Sequence, residues 1–219
     1  MAAAMAYNGS EFRGATMLDL VPAFVTLFVV IDPIGLGPMF LGLTQGLPES
    51  AKPRIGLEAS IIAFIVLAGS ALFATWLLRA LGISLAAFRI AGGLLLFAIA
   101  FEMVFERRQQ RKAHDATPEG LSRIATFPLA VPLMAGPGAI TACVLLAGRA
   151  NGDWKQLAIL LGIIEAVLGI SLLVFRSSRV LERALGQRGL TVFGRLLGVL
   201  LAALAVQYVA DGVRTLMGY

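Results

Sequence analysis

Residues Asp32 to Phe40 read DPIGLGPMF, and residues Pro132 to Ile140 read PLMAGPGAI. Each lies in the middle of a long apolar stretch, Met17 to Leu43 for the first and Ile124 to Gly148 for the second. Proline lacks a backbone donor and clashes with the preceding turn. Glycine accepts dihedrals that other residues avoid. Together they predict that both helices break in mid-course. Asp32 before Pro33 reads as an N-cap ahead of a proline at the first helical position, and Gly136 before Pro137 repeats the arrangement with a weaker cap.

The flanking sequence identifies the solvent around these breaks. The chain has 219 residues, of which 58% are apolar and 14% charged, against about 25% charged in an ordinary soluble domain. Mean hydropathy is +0.87. Too little polar sequence remains to skin a water-facing core. Disordered, collagen-like and disulfide-stapled classes fail on the same composition. The single cysteine, Cys143, sits in an apolar run and reads as a small packing residue. The single histidine, His114, lies among Arg, Lys and Asp and reads as a solvated loop residue. No His-Glu metal motif, phosphate loop or nucleophile elbow is present in the sequence. The expectation is a non-enzyme with no catalytic residue, metal or cofactor.

A membrane-spanning helix needs about 20 mostly apolar residues. Six stretches qualify: Met17 to Leu43, Ala59 to Leu78, Ile83 to Val104, Ile124 to Gly148, Gln156 to Phe175 and Gly189 to Ala210. The expected fold class is therefore an all-α membrane protein of six transmembrane helices. Residues 1–16 read as a disordered tail without the basic leader and apolar core of a signal peptide. Residues 105–123 form a basic loop between the halves 17–104 and 124–219. The net charge of +5 comes from basic residues placed between apolar runs, which argues against nucleic acid and for a bilayer partner. Loops 1–2, 3–4 and 5–6 hold eleven Lys and Arg, and the other side holds five. By the positive-inside rule, the basic loops face the cytoplasm and both termini lie outside, in a bacterial inner membrane.

The halves resemble each other. Pro33 and Pro137 are 104 apart, as are Arg79 and Arg183, and Leu81-Gly82 and Leu185-Gly186. An offset of 105 aligns Phe88 to Val104 with Phe193 to Val209. Seven of those seventeen positions are identical, among them Gly93/Gly198, Ala100/Ala205 and Val104/Val209. Three spans per copy is an odd number, so the second copy enters from the opposite side. That is the inverted-repeat plan of secondary transporters, with the ligand at the repeat interface near the midplane.

Each broken helix would bring carbonyls from its first half and amides from its second half into the membrane interior. Such groups are tolerated there only against protein or a polar cavity. Two facing breaks offer donors to a carboxylate and acceptors to an ammonium, so a small zwitterion matches both. The candidate binding residues are Asp32, Pro33, Gly35, Gly136, Pro137, Gly138 and Ala139, with Gly37 lining the first break.

Four charges fall within the spans: Asp32, Arg89, Glu165 and Arg195. A central charge costs about 2.5–3.5 kcal/mol on insertion scales, so each calls for a partner or a role. Asp32 reads as a helix cap and as a proton or cation carrier, since a desolvated carboxyl takes up protons more readily. Glu165 is the second ion-coupling candidate, with a salt bridge to Arg195 as its alternative. Arg89 and Arg195 read either as snorkelling side chains or as intramembrane ion-pair or gating residues.

These pieces resemble the MarC family of bacterial and archaeal membrane proteins. The matching segments are DPIGLGPMF (Asp32 to Phe40), FRIAGGLLL (Phe88 to Leu96), GPGAI (Gly136 to Ile140) and AVQYVADG (Ala205 to Gly212), in order across the chain. The resemblance implies six spans in two inverted three-helix repeats, with the first and fourth helices broken around the ligand. It implies SnatA-like transport of a small neutral amino acid, glycine or alanine, coupled to H⁺ or another cation. Members of the family carry Asn or Asp at the position of Asp32. Two other readings remain beside it: a non-transporting accessory or scaffold protein, and an exporter of another small metabolite.

Overall fold

The computed structural model describes residues 20–105, 125–150 and 152–218. The expected tail at residues 1–16 and nearly all of the loop at residues 105–123 lie outside the described residues. Every regular element among the described residues is helical: α1 (Leu20–Ile31), α2 (Pro33–Leu43), α3 (Lys52–Ala80), α4 (Leu85–Val104), a π-helical segment (Ala125–Met134), α5 (Pro137–Arg149) and α6 (Trp154–Met217). Helix α6 carries two spans, Trp154–Ser178 and Arg188–Met217, here called its first and second arms. Gly186 separates them at φ 61°, ψ 173°, a left-handed dihedral open to glycine.

Five helical runs are long and apolar enough to cross a bilayer: Leu20–Leu43, Lys52–Ala74, Leu85–Val104 and the two arms of α6. The bent pair Pro128–Met134 and Pro137–Arg149 supplies a sixth when taken as one span. Large apolar side chains such as Ile65, Phe73, Trp76, Leu94 and Leu173 face outward. In water such a surface would aggregate; in lipid it is the solvated face. The chain is an integral, multi-pass membrane protein.

Two boundaries differ from the sequence expectation. Helix α3 starts at Lys52, seven residues before Ala59, because Pro53 is compatible with a first turn and Lys52, Arg54 and Glu58 extend the helix beyond the apolar stretch. The polar stretch expected between the fifth and sixth spans is helical up to Gly186. Elsewhere, local capping sets the ends. Ser84 accepts from the Ala87 amide at 3.1 Å to start α4, and Asp153 accepts from the Lys155 amide at 2.9 Å to start α6.

The apolar driving force between helices is weak in lipid, so packing relies on small residues that allow close approach. One close seam runs between α4 and the second arm of α6. Gly93 lies against Val209 and the Ala205 carbonyl; Gly198 lies against Val104 and the Ala100 carbonyl; Gly212 lies against Ile90 and the Ala86 carbonyl. Residue numbers rise along one helix as they fall along the other, so the two run antiparallel. Gly148 approaches Leu85, and Phe40 stacks on Phe175 with ring centres 4.5 Å apart.

Candidate functional site

The first span is interrupted at one residue. Asp32 adopts φ 57°, ψ 62° between α1 and α2, the sole positive φ among described non-glycine residues. The left-handed region costs an L residue roughly 1–2 kcal/mol and is entered most readily by Gly, Asn and Asp. The sequence predicts the cap role of Asp32; it does not predict this dihedral, since most N-caps are extended. The Asp32 amide still donates to the Phe28 carbonyl at 2.9 Å, completing α1, and the Asp32 carbonyl accepts from the Leu36 amide at 3.0 Å, opening α2. Its Oδ1 accepts from the Gly35 amide at 3.1 Å. Asp32 thus serves both half-helices from a buried position, 8% exposed. A Cβ on Gly35 would fall on the Asp32 carboxylate. Glycine at position 35 is therefore what lets the carboxylate fold back over the first turn. Pro33 is buried beside it and Gly35 is partly exposed.

The fourth span is interrupted differently. Pro128 and Pro132 remove two amide donors four residues apart, and the segment Ala125–Met134 winds wide, in i to i+5 fashion. The Ala135 amide donates to the Ala130 carbonyl at 2.8 Å as that winding ends, and the Val131–Pro132 peptide is cis. The chain then turns by 55° into α5. Gly136 is the N-cap residue, extended and without a side-chain acceptor, and a Cβ there would lie 2.5 Å from the Pro132 carbonyl oxygen. Pro137 is exposed; Gly138 and Ala139 are buried.

The two interruptions are neighbours. A Cβ on Gly138 would sit 3.3 Å from Val30 Cγ1, two residues before Asp32, and would collide with Ile99 of α4. Small side chains at the start of α5 therefore bring its first turn against the last turn of α1. Asp32, Pro33, Gly35, Gly136, Gly138 and Ala139 belong to this region.

The other charged candidates lie elsewhere. Glu165 is exposed on the first arm of α6, while Ile164 and Val167 face the core. It lines an outward groove with Ser60 and Phe64 of α3. Arg195 is likewise on the exposed face of the second arm. Arg89 is half-buried with its Cβ facing Gly212, and acts electrostatically on Tyr208 together with Arg149 and Asp211.

That last grouping escapes sequence inspection. The Arg149 guanidinium sits 5.3 Å from the Tyr208 ring centre, and the buried Tyr208 side chain neighbours Thr26. Thr26 in turn donates to the Pro22 carbonyl at 2.7 Å. Four helices, α1, α4, α5 and α6, thus meet through one polar cluster at the end of the bundle opposite Lys52. Arg149 reads in sequence as an ordinary loop cation, and no local pattern couples it to a tyrosine 59 positions on.

A bundle of lipid-facing helices with interrupted spans defines the class: a polytopic α-helical membrane protein. The sequence profile described as MarC family integral membrane protein matches residues 17–217. The chain belongs to the MarC family. Its relatives include the UPF0056 membrane protein MJ1677 of Methanocaldococcus jannaschii, 36% identical over 88% of this chain and 94% of the relative. YvbG of Bacillus subtilis is 33% identical over 89% of this chain and 94% of its own length. YhcE of Escherichia coli is 32% identical over 87% and 90%. No solved structure matches the chain.

Proposed function

We propose that this protein is a secondary transporter that binds a small neutral amino acid, of glycine or alanine size, between the two mid-span interruptions. The observation that carries the reading is the juxtaposition of the Asp32 turn with the start of α5 through Val30 and Gly138. Helices α2 and α5 start at Pro33 and Pro137, and the first turn of α5 lies against Val30, two residues before the Asp32 cap. The first-turn amides of Ile34, Gly138 and Ala139 suit a carboxylate, that of Gly35 being held by Asp32 Oδ1. The carbonyls closing α1 and the π-helical segment, with the Asp32 carboxylate, suit an ammonium. The near absence of side chains at Gly35, Gly136, Gly138 and Ala139 restricts the ligand to a small one.

The same reading takes the chain as two inverted three-helix repeats. Its support is the reciprocal packing of Gly93 with Val209 and Ala205, and of Gly198 with Val104 and Ala100, residues paired by the 105 offset. Coupling to H⁺ or another cation falls to Asp32, the charged group at the interruption. Glu165, on the outer groove, is the second candidate for ion coupling. The protein sits in the inner membrane with its basic loops toward the cytoplasm.

Uptake of labelled glycine and alanine into proteoliposomes tests this. Saturable uptake that accelerates under an imposed pH gradient is the expected result. Absence of uptake for these substrates, with or without a gradient, rejects the amino-acid reading and turns attention to export of other small metabolites or to an accessory role.

A further inference from the structure

We propose that the Lys52 end of the bundle carries a site for an anionic phospholipid, with the headgroup held by Arg54 and Arg176 and an acyl chain laid in the groove between α3 and the first arm of α6. The headgroup end is a cavity of about 350 Å³ bounded by Glu49, Lys52, Arg54, Leu57, Phe175 and Arg176, among others. Lys52 is tied to Glu49 at 2.8 Å, so that pair is locally neutral. Arg54 and Arg176 are both exposed and supply two guanidinium forks, the geometry that grips a phosphate by paired N–H donors.

Depth in the membrane fits a headgroup. Lys52 opens the span Lys52–Ala74, and Arg176 lies two residues before the end of Trp154–Ser178. Both guanidinium groups are therefore carried on the terminal turns of spanning helices, where phosphate groups of lipids reside. The floor and walls are apolar, from Phe40, Leu57, Leu172 and Phe175.

A second cavity of about 320 Å³ continues from the first and shares Leu57 and Leu172 with it. Ser60, Ile61, Phe64, Leu168 and Gly169 line it, and Glu165 closes its mid-membrane end. Leu57 and Ile61 are exposed, so this cavity opens on the lipid face, not on the core. From Leu172 to Glu165 it follows the helix for about 10 Å toward mid-membrane, at 1.5 Å per residue. A cationic pocket opening directly onto a lane that is apolar from Leu57 and Leu172 to Leu168 matches an amphiphile with an anionic head. A soluble phosphate would use the head and leave the lane; a partner helix would use the lane and leave the two arginines.

The test uses the full chain, delipidated in detergent, with native mass spectrometry to count retained lipid and thermal unfolding to report stabilisation. Phosphatidylglycerol should be retained in preference to phosphatidylcholine of the same chains and should raise the unfolding midpoint, while glycerol phosphate does neither. Equal retention of the two lipids overturns the proposal, as does equal stabilisation by glycerol phosphate. These comparisons need no variant. With two cations removed in Arg54→Gln/Arg176→Gln, the preference should fall about thirty-fold, while Arg79→Gln at the opposite end leaves it unchanged. Gly169→Leu, which enters open space, should block the lane and reduce lipid retention. A folded Arg54→Gln/Arg176→Gln protein that keeps its full preference overturns the assignment.

Discussion

Gly93 and Gly198 stand in reciprocal contact with each other's helix. A Cβ on Gly93 would fall 2.7 Å from Val209 Cγ2 and 2.8 Å from the Ala205 carbonyl oxygen. One on Gly198 would fall 3.0 Å from Val104 Cγ2 and 3.2 Å from the Ala100 carbonyl oxygen. The first pair of distances demands movement of backbone; the second leaves room for a shift of a few tenths of an ångström. Gly93→Ala should therefore destabilise by about 1–3 kcal/mol, the range for overpacking, and Gly198→Ala by less. Gly69 meets nothing within 4 Å, so Gly69→Ala should be neutral or stabilising by up to about 1 kcal/mol. Thermal unfolding of the three variants in one detergent gives the ranking.

Asp32 joins a left-handed backbone to a side-chain cap, and the two can be separated. Asp32→Asn keeps both and should unfold within about 0.5 kcal/mol of the parent. Asp32→Val loses the cap and places a β-branched residue at φ 57°, so it should cost about 2–3 kcal/mol from the two terms together. Equal stability of Asn and Val variants would contradict the cap. In proteoliposomes, the Asn variant that still takes up amino acid, yet ignores the pH gradient, identifies the carboxyl as the coupling group. Unchanged gradient dependence removes it from that role.

Gly35→Ala puts a methyl group onto the Asp32 carboxylate. The carboxylate must swing away and release the Gly35 amide. Loss of amino-acid binding is expected, with a stability cost of about 1–3 kcal/mol. Binding is read by thermal shift with glycine or alanine, and stability by the unliganded midpoint.

At the opposite end of the bundle from Lys52, Tyr208→Phe keeps the ring under Arg149 but removes the hydroxyl beside Thr26. Because Thr26 retains its bond to the Pro22 carbonyl, the cost should be about 0.5–1.5 kcal/mol. Arg149→Gln removes the cation from the ring and should cost about 0.5–2 kcal/mol. The double variant should cost less than the sum if the two groups act as a unit, which a double-mutant cycle on unfolding midpoints measures.

The membrane class and span positions are legible in the sequence because apolar length is a one-dimensional property. Boundaries shift where charges ride on helices, as at Lys52 and between Arg176 and Gly186. Helices α2 and α5 start at Pro33 and Pro137, but proline constrains φ without specifying the path around it. Hence the left-handed Asp32 and the wide winding at Ala125–Met134 emerge only in three dimensions. Glu165 shows the limit most plainly. Mid-span position is readable from the chain, whereas the helix face it occupies depends on neighbours, and those neighbours send it to the exterior groove. Tyr208 and Arg149 are likewise far apart in sequence and adjacent only after folding.

The two interrupted spans are not in the same shape: Leu20–Leu43 continues through Asp32 as one run, whereas the counterpart bends by 55° at its break. If the halves are inverted repeats, as proposed above, that inequality is what a single conformer should display. Were the first span to crook and the fourth to straighten, the molecule would arrive at its own inverted likeness, facing the other compartment, with no element needing to unfold on the way.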